Sequence, residues 1–117
     1  MIRVCIDCGG ETKEITLKGH AGYAPKGEDI VCSAASMLVY TAAEVLTQLY
    51  AAGVIRKEPV IQLTAGDCRI SFRGPQNGLA DALVWFVATG FTMLCDRYPA
   101  NVQTEIRMDP EQDAPSR

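Results

Sequence analysis

His20 is the sole histidine of this 117-residue chain, and Cys32, one of five cysteines, follows it twelve positions later. Gly19 precedes the histidine, and Gly22, Pro25 and Gly27 lie between the two residues. Asp29 is a residue type that caps helices, and an apolar periodicity starts just after it, so Cys32 falls in a first helical turn. Free N–H groups and the positive end of the helix dipole favour an anion there. Placement of that kind makes a cysteine nucleophilic at neutral pH. With an imidazole nearby it gives the nucleophile-and-base pair of a cysteine hydrolase, and the same N–H groups could hold an oxyanion.

Each residue also has a plainer explanation. A small buried thiol packing the first turn accounts for Cys32 equally well. A lone histidine at a strand end is more often a structural hydrogen-bonding residue than a catalyst. Asp29 could orient His20 as a third catalytic member, although capping already explains it. Ser36 lies one turn after Cys32 on the same helical face, where its hydroxyl could reach the site or bond back to the Cys32 carbonyl. The glycines around His20 permit backbone conformations that other residues resist, which suits a lid or a substrate-binding segment.

The elements that must position these residues follow from periodicity. Ile2, Val4 and Ile6 alternate with polar positions as in a half-buried strand, and Glu14–Lys18 alternates again after a Cys8-Gly9-Gly10 turn. The second strand runs into Gly19-His20, placing the histidine at its end. Val31, Ala35, Leu38, Ala42, Val45 and Leu49 recur at helical steps up to Gly53, which predicts a helix of about twenty-three residues, roughly 35 Å long. Val60–Thr64 and Cys68–Arg73 form a second hairpin around Ala65-Gly66-Asp67. A second helix opens at Asn77 or Gly78 and runs to about Arg97. It is apolar nearly all round, so both sides should be covered, one by the sheet and the other by a second subunit. Val102–Met108 alternates as a last strand. The expected fold is α+β, a mixed sheet with two helices packed on one face, in the order strand-strand-helix-strand-strand-helix-strand. Residues 1–108 make one domain, and the apolar-poor tail 109–117 is expected to be disordered.

Composition narrows the function classes. Apolar residues are 48% and charged residues 21% of the chain, an ordinary globular balance that supports a core without staples. A formal charge of −3 and the lack of a basic run argue against nucleic acid as the main partner and leave room for a basic polypeptide. The start MIRVCIDC lacks the pattern of a signal peptide, and the odd cysteine count suits reduced thiols, so a cytoplasmic protein is expected. Leu79 to Cys95 reads as a buried helix, too short and too charged for a membrane span. The Cys5-x-x-Cys8 pair lies on a strand, where positions three apart face opposite ways, so neither a zinc site nor a redox motif is expected. Cys68 and Cys95 read as core.

Gly19-His20-Ala21, then Gly27-Glu28-Asp29-Ile30-Val31-Cys32, then Ser36, resemble the signature of the ribosomal-processing cysteine proteases, the Prp family. The element order over residues 1 to about 108 is also similar to that family. The resemblance implies a cysteine endopeptidase that removes the N-terminal extension of a bacterial large-subunit ribosomal protein, number twenty-seven, before ribosome assembly. It implies His20 as general base and Cys32 as nucleophile, with Gly19, Asp29 and Ser36 on motif positions. The loop from His20 to Cys32 would admit the peptide, with Gly22 and Gly27 in it and Tyr23 as a wall or an exposed aromatic. It further implies a homodimer and no cofactor or metal. Ser33 departs from the alanine expected after the cysteine. Two alternatives stay open on the residues alone: a non-catalytic module that binds ribosomal protein, and a redox-sensing thiol protein.

Overall fold

The computed structural model describes residues 1–74 and 78–107. The two alternating segments at the N-terminus pair as an antiparallel hairpin, β1 (Ile2–Asp7) and β2 (Thr12–Lys18). Helix α1 (Ile30–Ala51) follows, then the hairpin β3 (Val60–Thr64) and β4 (Asp67–Arg73), helix α2 (Leu79–Arg97) and strand β5 (Val102–Arg107). The sheet order is β3-β4-β2-β1-β5, antiparallel throughout except for the parallel β1/β5 pair. This is the expected α+β architecture and element order. The sequence-predicted Met108 at the end of β5, the candidate cap Asn77 and the tail 109–117 lie outside the described residues.

Register explains why one face is apolar. Ile61, Ile70, Ile15, Ile6 and Ile106 line up across β3, β4, β2, β1 and β5 in a single row. Ile70 and Ile6 are fully buried and Ile15 nearly so. Each such side chain contributes roughly 1.5–3 kcal/mol relative to exposure. A slip by one residue would turn the row to solvent, so the burial pattern fixes the pairing. The opposite face carries Arg3, Lys18, Arg69, Arg73, Gln103 and Glu105 and stays open.

Both helices join the inward side chains of the sheet in one core. Helix α1 buries Val31, Ala35, Val39, Ala42, Ala43 and Leu46. Leu38, Val45 and Leu49, expected in that stripe, sit half-buried at its margin. Apolar residues flank the stripe on both sides, and what packs against the helix selects among faces one position apart. Helix α2 buries Ala80, Val84, Val87, Ala88, Phe91 and Leu94. The helices meet where Gly90 faces Leu38: a Cβ at residue 90 would lie 2.6 Å from Leu38 Cδ2. The other side of α2 presents Trp85, Phe86 and Met93, and α1 presents Ile30, Met37 and Tyr40. Helix α2 ends at Arg97 as expected from the sequence pattern, and both helices are long and apolar enough to cross a membrane by length and composition. Each buries one face in the core.

The sequence pattern did not flag Lys13, which is buried. Its ammonium donates to the carbonyls of Cys8 (3.3 Å) and Gly10 (2.8 Å) and pairs with Asp81 of α2 at 3.6 Å. It thereby ties the β1–β2 turn to the second helix. Burial pushes the adjacent Cys8 thiol up, with the lysine charge acting against that effect.

Candidate functional site

Strand β2 delivers His20. Lys18 ends the strand, and the Gly19 N–H donates to the Gly66 carbonyl at 2.9 Å, extending the β2/β4 ladder by one step. Gly19 has φ +93°, and a side chain there would collide with the Met1 carbonyl oxygen. Only glycine fits that crossing of two backbones. His20 follows with an exposed ring. Its imidazole lies against Gly66 in the two-residue turn of the β3–β4 hairpin.

Helix α1 delivers Cys32. Asp29 is its N-cap, in an extended conformation, with Ile30, Val31 and Cys32 as the first three helical residues. One carboxylate oxygen, Oδ1, accepts from the N–H groups of Val31 and Cys32, both at 3.0 Å. The other, Oδ2, accepts from Tyr23 (2.9 Å) and Ala24 (3.2 Å) in the loop. Burial opposes the charge on Asp29, but these four N–H groups outweigh it and hold its carboxyl below the ordinary value. Both oxygens are thus committed to backbone, and none of the described hydrogen bonds joins Asp29 to His20. The expectation that the first-turn N–H groups would be free for an oxyanion also changes, because Asp29 occupies those of Val31 and Cys32.

The two deliveries meet at Ala21. This residue is buried, and its N–H donates to Cys32 Sγ at 3.3 Å. Its carbonyl accepts from Asn101 Nδ2 at 2.9 Å, a bond spanning eighty positions of sequence. Cys32 is half-buried. The thiol therefore lies against the residue that follows the histidine, although no described hydrogen bond runs between His20 and Cys32 themselves. The sulfur thus sits in the first turn of α1 with a backbone N–H aimed at it.

Of the other sequence candidates, Gly22 and Gly27 face open space, both with positive φ. The exposed Tyr23 packs edge-on to Tyr98, ring centroids 5.3 Å apart at 77°. Ser36 is exposed and takes part in none of the described hydrogen bonds. The neighbouring Ser33 instead donates to the Asp29 carbonyl at 3.1 Å. Cys5, Cys8, Cys68 and Cys95 are free thiols, and the Cys68 thiol is pushed up by burial. Among the described residues no group of three or more His, Cys, Asp or Glu side chains could hold a metal ion.

A family model described as cysteine protease Prp matches residues 1–103. The chain belongs to that family. As a Prp-family member it is a cysteine-type endopeptidase. Solved structures share its fold. One is an essential ribosomal-processing protease Prp from S. aureus in complex with a covalently linked product peptide, with TM-score 0.69 and 21% identity, covering 92% of this chain and 100% of that one. The same S. aureus protease with a substrate peptide gives TM-score 0.66 at 21% identity, with the same coverage of both chains. SMU.848 from Streptococcus mutans gives TM-score 0.62 at 22% identity, covering 93% of this chain and 96% of that one. No curated protein sequence matches.

Sequence reasoning missed Gly66, Asn101 and Tyr98 as residues around this Prp-family site. A glycine in a hairpin turn is already explained by the turn, and Asn101 lies in the α2–β5 connection, eighty positions from its partner. Neither carries a local signal of what it touches.

Proposed function

We propose that this Prp-family protein cleaves peptide bonds with Cys32 as nucleophile and His20 as general base and acid. The observation that carries this reading is the Cys32 thiol in the first turn of α1, held by the Ala21 N–H beside the only histidine. His20 takes the thiol proton, and the thiolate attacks the scissile carbonyl. Collapse of the tetrahedral adduct forms a thioester to Cys32 and breaks the C–N bond, with His20 returning the proton to the leaving amine. Water, deprotonated by His20, then hydrolyses the thioester and regenerates the thiol. Asp29 acts through position rather than proton transfer: it caps the helix under Cys32 and anchors the start of the loop at Tyr23 and Ala24. Gly22 and Gly27 belong to the segment that would move to admit substrate, Tyr23 with Tyr98 forms one wall, and Gly19 sets the crossing before His20. Ser36 on the exposed face of α1 would meet bound peptide.

The substrate we infer is a ribosomal-protein precursor, the large-subunit protein number twenty-seven, from which an N-terminal extension is removed before assembly. The named activity of the S. aureus structures supports this, as does the net charge of −3, which suits a basic polypeptide. The setting would be the cytoplasm, where such precursors are made. The exposed apolar side chains Trp85, Phe86 and Met93 support a homodimer. The catalytic cycle as written calls on no cofactor.

The test is incubation of the protein with a peptide spanning the extension and the mature N-terminus. The wild type should give two fragments, while Cys32→Ala and His20→Ala should bind the peptide and leave it intact. Cleavage by Cys32→Ala would sink the proposal.

A further inference from the structure

We propose that Gly66 is a positioning residue for His20: the β3–β4 turn forms a backbone seat on which the imidazole rests, and only a residue without Cβ can occupy it. This rests on His20 being the catalytic base. A Cβ built at Gly66 would lie 2.7 Å from His20 Nε2, 2.9 Å from Cε1 and 3.4 Å from Cδ2. The ring edge thus fills the volume that any L side chain would take. The Gly66 carbonyl also holds the Gly19 N–H at 2.9 Å, so one residue fixes both the backbone before the histidine and its ring. The turn itself is braced. Thr64 Oγ1 donates to the Asp67 carbonyl at 2.6 Å, and Lys18 pairs with Asp67 at 3.3 Å across the β2/β4 register. An exposed histidine at a strand end would otherwise sample several rotamers. A rigid hairpin turn beneath it removes part of that freedom before substrate arrives.

Backbone strain and ring displacement can be separated within this chain. Gly66 has φ +73° and Gly53, just past the end of α1, has φ +77°, but a Cβ at Gly53 meets nothing within 4 Å. Gly66→Ala and Gly53→Ala therefore share the strain, and only the first touches His20. Gly66→Asn tolerates the left-handed backbone better while keeping the Cβ against the ring, which covers the case in which Gly66→Ala folds poorly. To restore ordinary contact the ring must move by about 0.7 Å or rotate away, and misplacement on the order of 1 Å costs about 10²-fold in rate.

The experiment has two arms on wild type and the three variants: steady-state cleavage of the precursor peptide, and the NMR chemical shift of the imidazole Cε1–H. The second arm reads His20 alone because no other histidine exists. Gly66→Ala and Gly66→Asn should lower kcat by about 10²-fold with KM within about threefold. They should also shift the Cε1–H signal, while Gly53→Ala matches wild type in both arms. Gly66 variants that match Gly53→Ala in both cleavage and the Cε1–H chemical shift would overturn the seat. A wild type that cuts no peptide would count against the protease reading, and the NMR arm would still decide on the seat.

Discussion

Asn101→Ala isolates the tether that joins the end of the second helical unit to the proposed site. In the folded chain Asn101 Nδ2 donates to the Ala21 carbonyl at 2.9 Å, and Ala21 is 2% exposed. Alanine at 101 removes the donor and leaves a buried carbonyl without that partner, which costs about 1–3 kcal/mol. At about 1.4 kcal/mol per tenfold, this favours opening around Ala21 by roughly 5- to 150-fold. The consequence reaches Cys32, because the Ala21 N–H is the donor to Cys32 Sγ. Urea unfolding should show the loss as a lower midpoint with unchanged slope. Alkylation by iodoacetamide at neutral pH, read by peptide mapping, should quicken at the half-buried Cys32 as its cover at Ala21 opens, and stay the same at Cys5. Asn101→Asp keeps the shape but sets carboxylate oxygens against the carbonyl, so it should destabilise more than Asn101→Ala. An Asn101→Ala protein with wild-type midpoint and wild-type Cys32 alkylation would refute the reasoning, as would an Asp variant more stable than the Ala variant.

Two further outcomes follow from the charges and the core. The Asp29 carboxyl is held below its ordinary value, so its contribution to stability is complete above the unfolded carboxylate range, about 4, and is lost as pH falls through the folded value. Asp29→Asn should therefore be less stable than wild type at neutral pH, with the gap closing as pH drops below about 4 in urea melts; a gap that widened in acid would contradict the sign. Cys8 and Cys68 are buried with their thiols pushed up, so both should resist iodoacetamide at neutral pH until the chain unfolds. Rapid labelling of either in the native protein would show that the core around them opens.

The sequence disclosed the strands and helices to within a few residues because each carries its own period: the alternation of Ile2, Val4 and Ile6 is readable without knowing their partners. The Asp29 cap and the first-turn place of Cys32 were legible for the same local reason. What was not legible is long-range. The order β3-β4-β2-β1-β5 puts the Ala65-Gly66 turn under His20, and nothing in residues 60–73 announces that contact. Asn101 reaches Ala21 only because β5 lies beside β1, so that the Ile2 N–H bonds to the Asn101 carbonyl at 2.8 Å. The two oxygens of Asp29 were expected to cap one helix, yet they serve the loop as well, because that loop folds back over the helix start. Ser36 shows the converse: helical spacing placed it one turn from Cys32, but that face is open and its hydroxyl meets solvent.

The central claim is that Cys32, among five cysteines, is the atom that joins substrate. A peptide ending in an electrophilic ketone at the scissile position should trap the wild-type protein as a covalent adduct of the expected mass. Fragmentation should place that adduct on Cys32 alone, and Cys32→Ala should form none. An adduct on Cys5, Cys8, Cys68 or Cys95, or undiminished trapping in Cys32→Ala, would contradict the account.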